Sequence, residues 1–484
     1  MTSSNKNNQN TKEILNNIQE LLDRNLGFEK NKYYLQCINC RAKYDPGKPI
    51  YNCAKCADIL DVVYPFDKLP IGKISSDDMK NLWRLRRTSN LQENKSGVWR
   101  FREFIPFIDD TRDMISLNEG TTPLFRAPIT AKYVGVDDLK LKHQGINNPT
   151  ASFKDTGMSA AISKAKNLGM KAAVCASTGN TSASMAAFAK RAGILPIVVI
   201  PEGQIAYGKL SQALEFGALT MQIKGDFDEA MKLVMQVCPE IDVYVVNSIN
   251  PFRIEGQKTI VPELLEQLEW EMPDRIVVPG GNLGHAASIA KGLSELKQLG
   301  FISTLPKLTI VQAAGSDPLY RTITSSTPEE FISVLHPKTL ATAIKIGNPI
   351  SYKKALKGID DTDGWITNVT EQEIADAKAI VGQDGVGCEP ASAVTIAGLR
   401  KLMQEGTDGP IDPAEKVVAV LTGNLLKDPD YTVLYHTDQL SEEFELSTKI
   451  TPRGKKIKST FKNSPIQVDA NPAAIKKAIL AHLK

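Results

Sequence analysis

Between residues 137 and 421, short strand-like segments repeatedly give way to loops of Gly, Ser, Thr and Asn and then to helices. This alternation is the strongest constraint on the fold. A strand followed by a covering helix returns parallel to its predecessor, which calls for open parallel sheets with helices on both faces. The stretch 148–157, NPTASFKDTG, sits at one such junction. Residues 137–143 before it alternate apolar and polar and read as a strand. Residues 155–168 after it are rich in Ala, Lys and Met and read as a helix stopped by Gly169. Lys154 therefore falls in a first helical turn. The partial positive charge there lowers an amine's pKa and favours its neutral, nucleophilic form. A lysine so placed suits condensation with an aldehyde cofactor. The alternative is a solvated lysine in a helix cap.

Three later loops share the logic. Residues 176–182, ASTGNTS, follow an apolar strand at 172–175 and precede a helix at 183–192. Small residues at a helix start leave backbone N–H groups free, a cradle suited to a carboxylate. Residues 279–285, PGGNLGH, lie between a strand at 275–278 and a helix at 286–299, and their glycines let the backbone close around a phosphate. Residues 421–427, LTGNLLK, follow a strand at 417–421. All of these loops lie at the carboxyl ends of strands, where α/β sheets bind ligands.

Taken together, these stretches resemble the threonine synthase family, pyridoxal-phosphate enzymes of the tryptophan-synthase-β (fold type II) group. EGTTPL at 119–124, PTASFKD at 149–155, ASTGNTSAS at 176–184, NSINPFRIEGQK at 247–258 and PGGNLG at 279–284 carry the likeness. AIKIGNP at 343–349, CEPASA at 388–393 and LTG at 421–423 extend it to roughly residues 33–436. The lysine and phosphate loops belong to the whole fold group. The 247–258 stretch points to threonine synthases, especially the longer plant and archaeal kind.

The resemblance implies a pyridoxal phosphate held by Lys154 between two parallel-sheet lobes. The small lobe would span 161–250, inserted into a large lobe of 71–160 and 251–440. Phe153 would pack on the cofactor ring and Asn180 would meet its 3-oxygen. Gly281, Asn282, Leu283, Gly284 and His285 would bind its phosphate. His285 departs from the asparagine usual there. Thr422 would face the pyridine nitrogen. Ser177, Thr178 and Thr181 would hold the substrate carboxylate, and Asn247, Ser248 and Arg253 the phosphate of O-phosphohomoserine. Arg253, placed just before a helix beginning near Ile254, has a competing reading as a partner of Glu255 or Asp226. A β-replacement enzyme such as cysteate synthase, acting on O-phosphoserine, would share most of this set. A homodimer is also implied.

Of the seven cysteines, Cys37, Cys40, Cys53 and Cys56 are spaced C-x2-C-x12-C-x2-C. Two such knuckles supply the tetrahedral thiolate set that zinc prefers. The glycines usual after each knuckle are missing, with Arg41 and Ala57 in their places. The alternatives are unligated thiols or a knuckle pair that has lost its metal. This zinc-ribbon-like module would occupy residues 33–70, behind a disordered tip and a docking helix within 1–32. Cys175, Cys238 and Cys388 read as core thiols. Residues 76–115 read as largely helical.

A net charge of +3 demands no acidic partner, and no apolar run is long enough to span a membrane. The start lacks a secretory pattern, and arginine is absent from the first 23 residues, so a cytoplasmic enzyme is expected. Six Lys or Arg fall between 449 and 462 with no acidic residue among them. Without an aromatic platform beyond Phe461, this basic appendage, residues 441–484, reads as solvated or dimer-covering. It does not read as a nucleic-acid site. A helix should open at Asn471 with Pro472 in its first position.

Overall fold

The computed structural model describes residues 32–177, 179–201, 207–224, 227–238, 241–328, 330–405, 411–446 and 450–483. The expected helix within residues 11–25 and the tip before it lie outside the described residues, as does Thr178.

Two sheets dominate. The larger has six strands in the order Trp365–Val369, Lys307–Ala313, Arg275–Pro279, Lys416–Leu421, Asp138–His143 and Leu124–Arg126. Every pairing in it is parallel except the last, where Leu124–Arg126 runs antiparallel at the edge. The expectation of purely parallel sheets is corrected at that edge, where no helical crossover is required and an antiparallel strand is readily added. The smaller sheet is wholly parallel, in the order Leu219–Ile223, Leu195–Pro201, Ala172–Ala176 and Val243–Val245. Its central strand Ala172–Ala176 is buried throughout and has no polar face, as a strand covered on both sides requires.

Most expected elements lie within one to three residues of their observed bounds. The helix after the key lysine spans Lys154–Asn167, and Gly169 beyond it takes φ +70°, the left-handed stop that glycine adopts without steric penalty. The helix expected near Ile254 begins earlier, at Pro251, because Asn250 caps it by accepting from Phe252 N. Arg253 therefore sits inside its first turn, not ahead of it.

Residues 76–115 depart from expectation. Only Ser76–Arg86 is a helix of substance, and the rest is short turns. Trp99, Phe101, Phe104 and Phe107 are all buried there, so burial is achieved by an irregular chain and not by a helical stripe. Gly97 explains part of the break. A Cβ on it would lie 2.4 Å from Thr121 N, so the chain must pass close to the 119–124 turn.

The cysteine-bearing segment forms a three-stranded antiparallel sheet, Lys43–Tyr44, Tyr34–Cys37 and Leu60–Val63. Leu35, Leu60 and Val62 join the same buried cluster as Ile289 and Leu293 of the large sheet's covering helix. At the other end, Ser441–Leu446 and Ile450–Lys456 make a hairpin, and the helix Pro472–His482 follows with Asn471 as its cap. None of its described side chains is buried.

Candidate active site

Four loops at carboxyl strand ends converge on Lys154. The lysine loop and the Thr422 loop are joined through the backbone: Phe153 N donates to Thr422 O at 2.9 Å and Asn424 N to Ala151 O at 3.1 Å. The approach is close enough that a Cβ on Gly423 would lie 2.2 Å from Glu389 Cδ. Any larger residue there would have to displace the Glu389 carboxylate.

Lys154 is the first residue of its helix. Its Nζ lies 3.9 Å from the Phe153 ring centroid and, among the described residues, has no hydrogen bond or ion pair. Its pKa falls to about 7. Burial is the main cause and the nearby Arg253 charge the second, with Glu389 opposing both. The helix end, invoked from sequence, is therefore secondary to desolvation. Phe153 stacks on His285 with centroids 4.3 Å apart. Burial and the Lys154 charge push His285 down to about 3, so its imidazole is neutral. Its Nε2 is buried without a partner.

The helix after Ala172–Ala176 begins at Asn180, three residues earlier than the sequence suggested, which places Asn180 and Thr181 in its first turn. Ser177 Oγ accepts from Gly179 N at 3.2 Å. Asn180 Nδ2 donates to Glu389 at 3.1 Å. Thr422 Oγ1 lies 3.3 Å from the other oxygen of Glu389 and 3.0 Å from Ser392 Oγ. Glu389 thus touches two of the expected ring-contacting residues and is 1% exposed. Sequence reasoning gave it no role. The signal was there in CEPASA, where an acid precedes a helix-opening proline.

The helix Gly284–Gln298 starts at the glycine loop. Leu283 ahead of it has φ +62°, a strained value for a side-chain-bearing residue. Asn282 Oδ1 accepts from Ile350 N at 2.8 Å, which ties the cradle to the 343–351 segment. Ser351, also unassigned from sequence, has a buried hydroxyl with no partner.

Arg253 is 3% exposed. Its Nη1 donates to Val246 O at 3.1 Å and reaches Ser248 Oγ at 3.4 Å, while Nε is buried and unpartnered. The competing pairing with Glu255 is not formed: Glu255 binds Lys258 and Lys291, each at 2.6 Å. Asp226 lies outside the described residues. Asn247 also makes structural bonds that the sequence did not suggest. Its side chain accepts from Ala176 N at 3.1 Å and donates to Ala176 O at 2.9 Å, so it ties the two small-sheet loops together.

A family profile described as pyridoxal-phosphate dependent enzyme matches residues 115–423. Threonine synthase of Methanocaldococcus jannaschii is 41% identical over 413 residues, 85% of this chain and 97% of that protein. Threonine synthase of Methanosarcina acetivorans is 41% identical over 457 residues, 93% of this chain and 100% of that protein. Among solved structures, a fungal L-serine ammonia-lyase from Rhizomucor miehei shares the fold, with a TM-score of 0.55 and 21% identity over 65% of this chain and 98% of that one. The chain belongs to the pyridoxal-phosphate dependent enzymes and, within them, to the threonine synthases.

The residues present fit that cofactor. A Cβ added to Gly284 would meet only Ser351 Oγ, at 3.7 Å, so the helix start opens on space flanked by an unsatisfied hydroxyl. The four N–H groups of a helix start, with such donors beside them, suit a phosphate.

Proposed function

We propose that this chain converts O-phospho-L-homoserine and water to L-threonine and phosphate, with pyridoxal phosphate held by Lys154. Bound there, the cofactor supplies an electron sink for bonds to the substrate's Cα. The observation that carries the choice of substrate is Arg253: a buried guanidinium without an ion-pair partner among the described residues, near Lys154 and separate from the glycine cradle. A second anion site of that kind suits a phosphorylated substrate.

The residues divide the work. Lys154 would hold the cofactor in the absence of substrate, and its side-chain amine would be free once the substrate's amino group takes that place. With a pKa of about 7 it is neutral often enough to take the Cα proton, then to move protons at Cβ and Cγ. Arg253 with Ser248 holds the phosphate dianion and stabilises it as it leaves Cγ. Asn247 positions the loop that carries Ser177, Thr178 and Thr181, which together with the helix start hold the substrate carboxylate. Phe153, backed by His285, supplies an apolar wall. Asn180, anchored by Glu389, meets the ring oxygen. Gly281, Asn282, Leu283, Gly284 and His285 bind the cofactor phosphate through backbone N–H groups, joined by Ser351. Thr422 offers the pyridine nitrogen a hydroxyl in place of a carboxylate, which disfavours transamination.

The same reading takes the two large sheets as two lobes, residues 71–160 with 251–440 and residues 161–250. It also takes the enzyme as a cytoplasmic homodimer with a basic appendage at 441–484. Among the described residues no helix is long and apolar enough to cross a membrane. It assigns zinc to Cys37, Cys40, Cys53 and Cys56, whose Sγ atoms all lie within 4.8 Å of one another. Arg41 and Ala57, which replace the knuckle glycines, take φ values of +61° and +59°. The left-handed knuckle is kept although each such residue costs roughly 1 kcal/mol, a cost that thiolate–metal bonds offset.

Purified protein given O-phospho-L-homoserine should release threonine and phosphate in equal amounts. Activity only with O-phosphoserine and sulfite would overturn the substrate assignment.

A further inference from the structure

We infer that the cysteine module is a metal-dependent brace for the helix that carries Arg253 and the helix that starts at the glycine cradle. This rests on the zinc assignment above. The strand Leu60–Val63 leaves the second knuckle only four residues after Cys56. On it, Asp61 pairs with Lys291 at 2.9 Å and Lys354 at 3.3 Å. Lys291 also donates to Val62 O at 2.5 Å and pairs with Glu255 at 2.6 Å. Glu255 in turn binds Lys258, which reaches Glu295 at 2.5 Å. Three carboxyl groups and three lysines thus form one network.

The placement of these side chains matters more than their number. Glu255 and Lys258 lie on Pro251–Lys258, the helix that carries Arg253. Lys291 and Glu295 lie on Gly284–Gln298, whose first turn is the phosphate cradle. Lys354 lies on Tyr352–Asp361, directly after Ser351 and the segment that holds Asn282. Lys354 also donates to Leu60 O at 2.9 Å, and Lys353 pairs with Asp58, two residues past Cys56. The helix of the glycine cradle and the one that follows Ser351 are therefore tied directly to residues 58–62, and the helix of Arg253 is tied to them through Lys291. The Glu255–Lys258 pair is fully buried and therefore stiff, because a charge that loses its partner there has no water to replace it, while Asp61 is partly exposed.

The module contributes no side chain that reaches Lys154 in the contacts described. Its position is that of a fixed point. With the four thiolates gathered on a metal, the knuckles and the strand that follows are held in one geometry. Without it, Arg41 and Ala57 are released from their left-handed conformation and the anchor for Asp61 loosens. Asp61 and Lys291 are accordingly positioning residues.

The test uses the holoenzyme. Bound metal is first counted per chain. Zinc is then removed by chelation at a temperature where the protein stays folded. The affinity for pyridoxal phosphate and the hydrogen exchange of backbone amides 252–255 and 284–288 are measured before and after. The expected result is one zinc per chain, amide exchange faster and cofactor affinity weaker by roughly tenfold on its removal, and recovery when zinc is returned. Asp61→Asn should keep its zinc and show the same exchange and affinity changes, with KM for O-phosphohomoserine raised more than kcat is lowered. A chain that carries no metal overturns the zinc assignment and with it the metal dependence. Bound zinc whose removal leaves exchange and cofactor affinity unchanged overturns the brace alone. So does an Asp61→Asn protein that merely melts earlier.

Discussion

Replacing Arg253 with alanine separates a substrate-binding arginine from a structural one. The guanidinium makes one good hydrogen bond to protein, Nη1 to Val246 O at 3.1 Å, and a longer one to Ser248. Its remaining N–H groups, including the buried Nε, are available to a ligand. A phosphate dianion could take two charge-assisted bonds from them, each contributing about 1.5–3 kcal/mol. Water entering the vacated space recovers part of this. A net loss of roughly 3 kcal/mol corresponds to about 150-fold in kcat/KM for O-phosphohomoserine. Arg253→Lys should recover only part, since an ammonium cannot reproduce the fork. A second effect is independent of substrate. The Arg253 charge helps, after burial, to hold Lys154 near 7. Without it the Lys154 pKa should rise, so the pH midpoint for reactivation of the apoenzyme by pyridoxal phosphate should move upward. Steady-state kinetics and stopped-flow reactivation across pH measure the two effects. A variant with kcat/KM within ~3-fold of wild type, an unmoved midpoint and a lowered melting temperature would show Arg253 to be structural.

Three further outcomes follow from the same geometry. Glu389→Gln removes a charge that raises the Lys154 pKa, so its reactivation midpoint should move down, opposite to Arg253→Ala, and an upward shift would contradict the placement of Glu389. Lys154→Ala should abolish turnover while circular dichroism and melting show an intact fold; activity within ~10-fold of wild type would remove Lys154 from the chemistry. Lys154 binds its proton less tightly folded, at about 7, than unfolded, near 10.4, so between those values the unfolded chain holds more protons and stability rises with pH. Wild-type apoenzyme should therefore gain stability relative to Lys154→Met as pH is raised from about 7 to 9 in denaturant titrations, and a constant gap would show an ordinary lysine.

The sequence carried the layout of the site better than its interior. Strand–loop–helix alternation is a local signal, and it placed Lys154, the glycine cradle and Thr422 at carboxyl strand ends. The helix starts at Asn180 and Pro251 were read too late, because caps and first turns are set by single hydrogen bonds such as Asn250 Oδ1 to Phe252 N. Glu389 and Ser351 were missed because their importance comes from contacts with residues distant in the chain. The structural part of Asn247 was not legible, because its bonds to Ala176 join residues distant in the chain. Residues 76–115 misled for a different reason. Their aromatic side chains are buried by an irregular path that has no period to detect. The knuckle positions Arg41 and Ala57 show the converse, a left-handed backbone at residues that do not favour it.

The central claim is that the bond to the leaving phosphate is broken at carbon, with water added afterwards to the neighbouring carbon. Turnover of O-phospho-L-homoserine in water enriched in oxygen-18, read by mass spectrometry of both products, tests it directly. The expected result is label in the hydroxyl of threonine and none in the phosphate, because the phosphate departs with the oxygen that bridged it to Cγ. Label in the phosphate, with homoserine in place of threonine, would mean hydrolysis at phosphorus and would contradict the mechanism assigned to Lys154 and Arg253.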